Sequence, residues 1–358
     1  MNNFKPDCLI ISPEASDPQS VTLFEELTSK GMNPYILPLK DQGKEVLHRV
    51  VLNDNEVFYG EDLSEVKAVY LRCISTDVPP AVPPLMNEME FRMWQARYLK
   101  EELKQKVFSG LLNILERRGA LIVNPPRTYF HHNAKAQFFY MLHKEGIPVP
   151  YTFSTNSLEF FCRHHSPENS LIIKAGYGVG GTRRLAGDLA ADELKYCPAL
   201  FQEEVKGKTI RVHTAGDNVV LALRILSEDI DSRTDPGGFE EVRLSHEHEM
   251  LIARANRILG LHFSAWDVIV SSEGRLYLLD CNPGPYIWWI GPYYSRIVMS
   301  ALSRLMACYI DKGNTVGLPH EGRSFTSEAR GLNKQDERLG DILRGISDSW
   351  KTLLRLRN

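Results

Sequence analysis

The 358-residue sequence has no apolar run approaching the ~18 residues that a membrane-spanning helix needs, and none of its segments is a low-complexity tract or an internal repeat. Its opening, MNNFKPDCLIISPEAS, carries only the short apolar stretch Cys8 to Ile11 with Pro13 behind it, which does not make a secretion signal. It also lacks a surplus of either charge. With 42 basic and 45 acidic residues, net −3, no global field would hold a polyanion such as duplex DNA, so any phosphate must be bound locally. Cysteine is sparse: Cys8, Cys73, Cys162, Cys197, Cys281 and Cys308 show no C-x-x-C spacing, which argues against a zinc knuckle and a disulfide framework. These absences predict a soluble, unexported, cytoplasmic chain with reduced thiols and neither nucleic-acid nor membrane partners. What is present is ordinary globular material, 43% hydrophobic and 24% charged, long enough for two or three compact units.

The order of elements begins as an α/β unit. Cys8 to Ser12 reads as a strand, Val21 to Lys30 as a helix and Pro34 to Leu39 as a second strand, the start of a parallel sheet. Lys67 to Cys73 is a further strand whose end points Arg72 towards a proline-rich loop, VPPAVPP, that cannot be helical. Asn87 to Arg117 has helical spacing, and Ala120 to Val123 is a strand stopped by Asn124-Pro125-Pro126, a boundary signal near residue 125. Beyond it, Asn133 to Glu145 reads as an amphipathic helix closed by Gly146. Leu171 to Lys174 and Ala199 to Val205 read as strands. Ile210 to His213 with Asn218 to Leu226 forms a hairpin about Gly216-Asp217, and Phe263 to Val270 with Arg275 to Leu279 forms another. Helices are expected at Glu247 to Leu259 and Ser295 to Asp311. In the tail, Leu339, Ile342, Leu343, Ile346, Trp350, Leu353 and Leu354 share one helical face, a docking helix rather than a membrane anchor.

Two segments carry chemistry. LIIKAGYGVGGTRRL matches G-x-G-x-x-G, but no helix follows to present its N-terminus to a pyrophosphate, so the dinucleotide fingerprint fails. No Walker lysine follows either, and the catalytic-loop and D-F-G signatures of protein kinases are missing. A strand, glycine loop, strand flap over phosphates fits better, because backbone N–H groups approach closely where no Cβ intervenes. A turn serving only the fold is the competing reading. The second segment, AWDVIVSSEGRLYLLDCNPGP, places Asp267 on one strand and Asp280 and Asn282 on the next. Period two turns Asp280 and Asn282 to one face, and pairing brings Asp267 beside them. Oxygen ligands of this kind suit magnesium, which takes one or two carboxylates together with nucleotide phosphates. The two histidines of SHEHE, His246 and His248, are two apart at a helix start and do not face one metal.

This arrangement resembles the ATP-grasp superfamily, most closely its RimK-like ligases and the ATP-grasp enzymes that cyclise microviridin-type peptides. The likeness runs over about residues 8 to 310 and rests on four segments in register. Lys135 falls where the first nucleotide lysine falls, ahead of the exit Gly146-Ile147-Pro148-Val149-Pro150. Lys174 resembles the second lysine, and Gly178, Gly180 and Gly181 resemble the phosphate flap. Gln202, Glu203, Glu204 and Val205 resemble the hinge that meets adenine through its backbone, and Arg211 resembles the substrate-side arginine. Asp267, Asp280 and Asn282 resemble the magnesium ligands. Two features depart from the family pattern: Asp280 stands where Glu is commoner, and Lys206, Lys208 and Thr209 occupy the places where an acid commonly holds the ribose, leaving Glu204 as the substitute.

The resemblance implies an α/β protein with α+β lobes and the ATP-grasp fold. A parallel α/β pre-ATP-grasp domain would span residues 1–125, a central lid subdomain 126–200 and a C-terminal antiparallel-sheet subdomain with the metal site 201–312. A tail with an amphipathic helix would follow at 313–358. It further implies ATP and Mg2+, with Mn2+ as the alternative ion, and ligation of a carboxylate to an amine through an acyl phosphate with release of ADP and phosphate. The substrate is expected to be an amino acid or a peptide, including a ribosomal one, and the protein a homodimer. Arg211, Arg224 and Arg233 would face the substrate carboxylate and the acyl phosphate, since a planar guanidinium makes bidentate contacts. Tyr286, Trp288 and Trp289 either wall the substrate pocket or pack in the core. A kinase of the same fold and a non-catalytic nucleotide-binding module are the rival readings, and the intact lysines and acidic triplet disfavour the module.

Overall fold

A computed structural model describes residues 5–39, 48–50, 56–73, 87–165, 170–174, 181–185, 194, 198–227 and 237–312. The glycine loop with Gly178 and Gly180, Arg233, the proline-rich loop and the 313–358 tail lie outside the described residues.

The first unit is built on β1 (Cys8–Ser12), α1 (Pro18–Thr28), β2 (Pro34–Pro38), β3 (His48–Val50), β4 (Val57–Tyr59), β5 (Glu61–Asp62), β6 (Ala68–Leu71), α2 (Glu88–Arg117) and β7 (Leu121–Val123). β1 is buried along its whole length, as expected for a strand covered on both faces. The strands pair parallel in the order β2-β1-β6-β7, while β3, β4 and β5 form a small antiparallel sheet that the sequence reading did not anticipate. α1 starts three residues earlier than the apolar spacing suggests. Asp17 caps it, accepting from Ser20 N at 2.9 Å, and Pro18 takes the first helical position where a missing N–H costs nothing. α2 opens with a reciprocal Asn87–Glu90 capping box. Only its C-terminal part is buried, through Phe108, Leu111, Leu112 and Leu115.

The middle of the chain contains α3 (Tyr129–Asn133), α4 (Lys135–Lys144), β8 (Thr152–Thr155), α5 (Leu158–His164), β9 (Leu171–Lys174), β10 (Thr182–Arg184) and β11 (Ala199–Glu203). The helix expected over Asn133 to Glu145 begins at Lys135. Ala134, at φ −109° and ψ 66°, closes α3 through its N–H to Phe130 O and opens α4 through its carbonyl to Phe138 N. β9 and β10 pair antiparallel, Lys174 opposite Thr182, on either side of the glycine segment, which is the hairpin expected of a flap. The sheet order is β10-β9-β11-β8, with Phe161, Ile173 and Phe201 in its core.

The last unit comprises β12 (Gly207–Ala215), β13 (Asn218–Ile225), β14 (Phe239–Glu241), α6 (His246–Leu259), β15 (Phe263–Ser271), β16 (Leu276–Asn282) and α7 (Pro292–Lys312). Its five strands are antiparallel in the order β14-β13-β12-β15-β16. One face packs on α4 and α6 through Val212, Ala222, Ile252, Trp266 and Leu278. The other shares a core with α1, α7 and the parallel sheet through Leu223, Phe263, Leu302, Ile10 and Tyr70. Asn124 also joins the two units: its side-chain amide donates to the carbonyls of Phe263 and Pro283, and its Oδ1 accepts from His262 N and Phe263 N. No helix among the described residues is long and apolar enough to cross a membrane.

Candidate active site

Three neighbouring strands put the charged groups in one row. Arg211 on β12 lies opposite Asp267 on β15, and Asp267 lies opposite Asp280 on β16, so all three project from one face of the sheet. A bulge makes this so. The register passes from Asp267–Asp280 to Val268–Leu278, leaving Leu279 as the extra residue. Before it, Leu276 and Leu278 face the α4–α6 core; after it Cys281 does, so Asp280 is turned to the opposite face. Asn282, opposite Ala265, follows Asp280 on that face.

Two carboxylates directly opposite repel one another unless cations attend them, and each here meets one. Lys135 Nζ donates to Asp280 Oδ2 at 2.6 Å, from the start of α4 and almost wholly buried. Arg211 Nη1 donates to Asp267 Oδ1 at 2.7 Å, and its guanidinium lies 5.9 Å from the Trp289 ring centre. Lys174, at the end of β9, donates to the Leu279 carbonyl that the bulge leaves outside the ladder, at 3.1 Å. Burial alone would raise the Asp280 carboxyl, but the Lys135 and Lys174 ammonium groups outweigh it and hold Asp280 below the ordinary aspartate range. Asn282 Oδ1 accepts from Gly284 N at 3.0 Å. The donor set is two carboxylates and an amide oxygen on adjacent strands beside two lysines, and it fits a hard divalent cation together with phosphate oxygens.

Gln202 is fully buried, with Nε2 donating to Thr152 Oγ1 at 2.9 Å and Oε1 lacking a partner among the described residues. An orphaned buried acceptor costs about 1–3 kcal/mol, and an amino group such as that of adenine would satisfy it. The backbone N–H groups of Glu203 and Glu204 are already used, on the carbonyls of Tyr151 and Ser170. The Glu204 carboxylate, suggested for the ribose, instead accepts from Arg184 Nε and Nη2, at 3.0 and 2.8 Å, and from Ser170 Oγ. These bonds hold it below the ordinary glutamate range.

Arg224 is not brought to this row. It lies opposite Ile210, whose side chain belongs to the α4–α6 core, whereas Arg211 lies opposite Leu223 on the other face. Its guanidinium pairs with Glu240 at 3.2 Å on the neighbouring strand. Period two separates residues 211 and 224 because the hairpin register is even. Gly181 sits at the foot of β10.

Sequence reasoning passed over His213. It shares the face of Arg211 and Asp267 by period two, is fully buried, and neither ring nitrogen has a hydrogen-bond partner among the described residues. Alternation along Arg211-Val212-His213 was the available signal. Burial, aided by Arg211, holds its pKa well below the ordinary histidine value. The unfolded chain therefore takes up a proton near pH 6.5 that the folded state refuses, and stability falls as pH drops below that point. The expected loss is about 1 kcal/mol per pH unit. Thermal melts between pH 7 and 5 should show this slope, and His213→Val should reduce it by one proton's worth.

Comparison with known proteins bears on the fold. Among the solved structures that resemble the chain are ATP-grasp ligases, and the chain has the ATP-grasp fold. PsnB, solved with precursor peptide PsnA2 and AMPPNP, aligns over 86% of this chain and 99% of its own with a TM-score of 0.71 at 22% identity. The macrocyclase MdnC from Microcystis aeruginosa MRC, bound with precursor peptide MdnA, aligns over 84% of this chain and 99% of its own with a TM-score of 0.67 at 18% identity. In sequence, human N-acetylaspartylglutamate synthase A is 29% identical over 192 residues, 48% of each chain. The chain thus spans about half the length of that curated relative. No protein-family model matches the sequence.

Proposed function

We propose that the protein is an ATP-dependent carboxylate–amine ligase that forms an amide bond through an acyl phosphate and releases ADP and phosphate. The observation that carries this is the Arg211–Asp267–Asp280 row with Lys135 and Lys174 converging on its β16 edge. Mg-ATP, with Mn2+ as the alternative ion, supplies the phosphoryl group that activates the carboxylate. Asp267, Asp280 and Asn282 would hold the ion, and Lys135 and Lys174 would offset phosphate charge. Gln202 and Val205 would meet the adenine, and the glycine segment with Gly178, Gly180 and Gly181 would cover the phosphates. Catalysis of this kind is mostly positioning and charge neutralisation. Arg211 has a buried Nε without a hydrogen-bond partner among the described residues and so keeps donor capacity for an acyl oxygen. Arg233 is proposed as a second substrate arginine, whereas Arg224 stands on the opposite face of the sheet, paired with Glu240.

The precursor peptides bound to PsnB and MdnC support a peptide substrate, and the synthase relative supports an acidic amino acid. The proposed division is 1–125, 126–200 and 201–312 with the tail 313–358, in a cytoplasmic setting suited to free cysteines. The deciding experiment measures ADP, phosphate and product mass with Mg-ATP across amino acids, dicarboxylic acids and acidic peptides. A product lighter by one water, with phosphate released, supports the ligase. A product heavier by a phosphoryl group would make it a kinase, and bound ATP without turnover a regulatory module.

A homodimer through α2 is part of the proposal. From Glu88 to Val107 no residue of this helix is buried, yet the segment presents Met89, Phe91, Met93, Leu99, Leu103 and Val107 to solvent. An exposed apolar face of this kind suits pairing with a second copy. Light scattering should give twice 40.7 kDa for the wild type, and Met93→Glu with Leu103→Glu should give the monomer mass with an unchanged circular dichroism spectrum.

A further inference from the structure

The parallel sheet has its own switch point. β1 connects through α1 to β2 on one side, while β6 lies on its other side, so the carboxyl ends of β1 and β6 form a switch point, where the crevice of an open α/β sheet takes its ligands. Arg72 stands there, immediately after β6. Its Nε lies 3.4 Å from Asp17 Oδ2 without hydrogen-bond alignment, and the guanidinium lies 5.1 Å from the centre of the Tyr286 ring. Its two Nη groups have no hydrogen-bond partner among the described residues. Asp17 is itself held by Ser20 N and Ser20 Oγ, and Ser20 Oγ bonds Ser12 Oγ at the end of β1.

The crevice is tied to the row of acids. Tyr286 belongs to the segment just after Asn282, and that segment is clamped onto the first unit. Gln19 donates to the Pro285 carbonyl at 3.0 Å and accepts from Ile287 N at 3.0 Å. Tyr129, whose hydroxyl donates to Leu71 O at 2.7 Å, lies so close to Gly284 that a Cβ there would fall 2.7 Å from its ring. The lysines meet β16 at Leu279 and Asp280, before Asn282, whereas Arg72 meets the chain after it.

We propose that Arg72, braced by Asp17 and faced by Tyr286, binds a carboxylate of the substrate across the crevice from the metal-binding row. A guanidinium fork matches a carboxylate in a bidentate way. The adjacent Asp17 leaves the pair with no net charge, which suits a monoanionic carboxylate better than a phosphate dianion. The class of ligand is a dicarboxylic acid or an acidic side chain of a peptide. Its role as a substrate anchor rests on the ligase reading; its recognition of a carboxylate does not.

The test titrates glutarate calorimetrically into the full chain, with and without Mg-AMPPNP, for wild type, Arg72→Gln, Arg72→Lys and Tyr286→Leu. Fluorescent-nucleotide affinity and melting temperature are measured alongside. Glutarate should bind the wild type, about tenfold or more weakly in Arg72→Gln, and more weakly in Arg72→Lys, which keeps the charge but loses the fork. Tyr286→Leu should weaken it without touching Arg72, and nucleotide affinity should hold in all four. Absent binding to the wild type, equal binding in the arginine variants, or displacement by inorganic phosphate at lower concentration than glutarate needs would each overturn the proposal. Loss of nucleotide binding by the wild type with Arg72-dependent glutarate binding intact would sink the ligase reading and leave the carboxylate site standing.

Discussion

Replacing Lys135 with methionine is expected to lower the rate of phosphate release by about 10²- to 10³-fold, the usual cost of one preorganised charge donor at a transferring group. The same change should destabilise the fold. Lys135 is buried and donates to Asp280 at 2.6 Å, and methionine fills its volume while removing the charge. Breaking a buried pair costs about 3–5 kcal/mol, and Asp280 is only partly buried, so about 2 kcal/mol is expected. The pH dependence should change sign. In the wild type the carboxyl is held below its ordinary value, so its stabilisation is present above about pH 4 and is lost as pH falls through the lower folded-state value. In the variant the burial that raises this pKa faces one cation fewer. The folded pKa should rise above the unfolded one, and the variant should gain stability as pH falls towards about 4. Melts from pH 7 to 4 check this; parallel curves for the two proteins would refute it.

Asn282→Ala should separate chemistry from stability. Among the described residues the side chain makes one hydrogen bond, from Gly284 N, worth about 1 kcal/mol. As an ion ligand its removal should reduce turnover by about 10²-fold or more and shift the Mg2+ concentration for half-maximal rate upward, with Lys135–Asp280 left in place. A variant with wild-type magnesium dependence would remove Asn282 from the ion site. A melting loss larger than that of Lys135→Met would show instead that Asn282 matters chiefly as a cap for the Pro283–Pro285 turn.

Much of the site was legible because its residues are local in sequence or alternate simply. The strand and glycine segment around Lys174, the Gly216-Asp217 hairpin, and the Asp267, Asp280 and Asn282 set each announce themselves within a few residues, since turn chemistry and period two are short-range effects. Lys135 was placed by the resemblance, since it falls where the first nucleotide lysine falls ahead of Gly146. β8 and the three-stranded β3–β5 sheet escaped, because at two to four residues each they lack the continuous Leu/Ile/Val run that marks β7 and β9 at similar length.

By itself, the sequence determined the order of the elements, the types of chemical group available and the absence of any large field or apolar span. Only the tertiary structure decided which way those groups point. Leu276, Leu278 and Asp280 have the same parity, so simple alternation would bury Asp280 in the α4–α6 core. One extra residue, Leu279, turns the carboxylate to the face of Asp267 and Arg211 and frees a carbonyl for Lys174. Alternation in the opposite sense carries Arg224 away from that face. Long-range closure likewise placed Arg72 beside Tyr286, 214 positions on in the chain, through bonds from Gln19 and Tyr129. Bulges, registers and clamps of this kind are properties of two segments packed together, and neither segment records them alone.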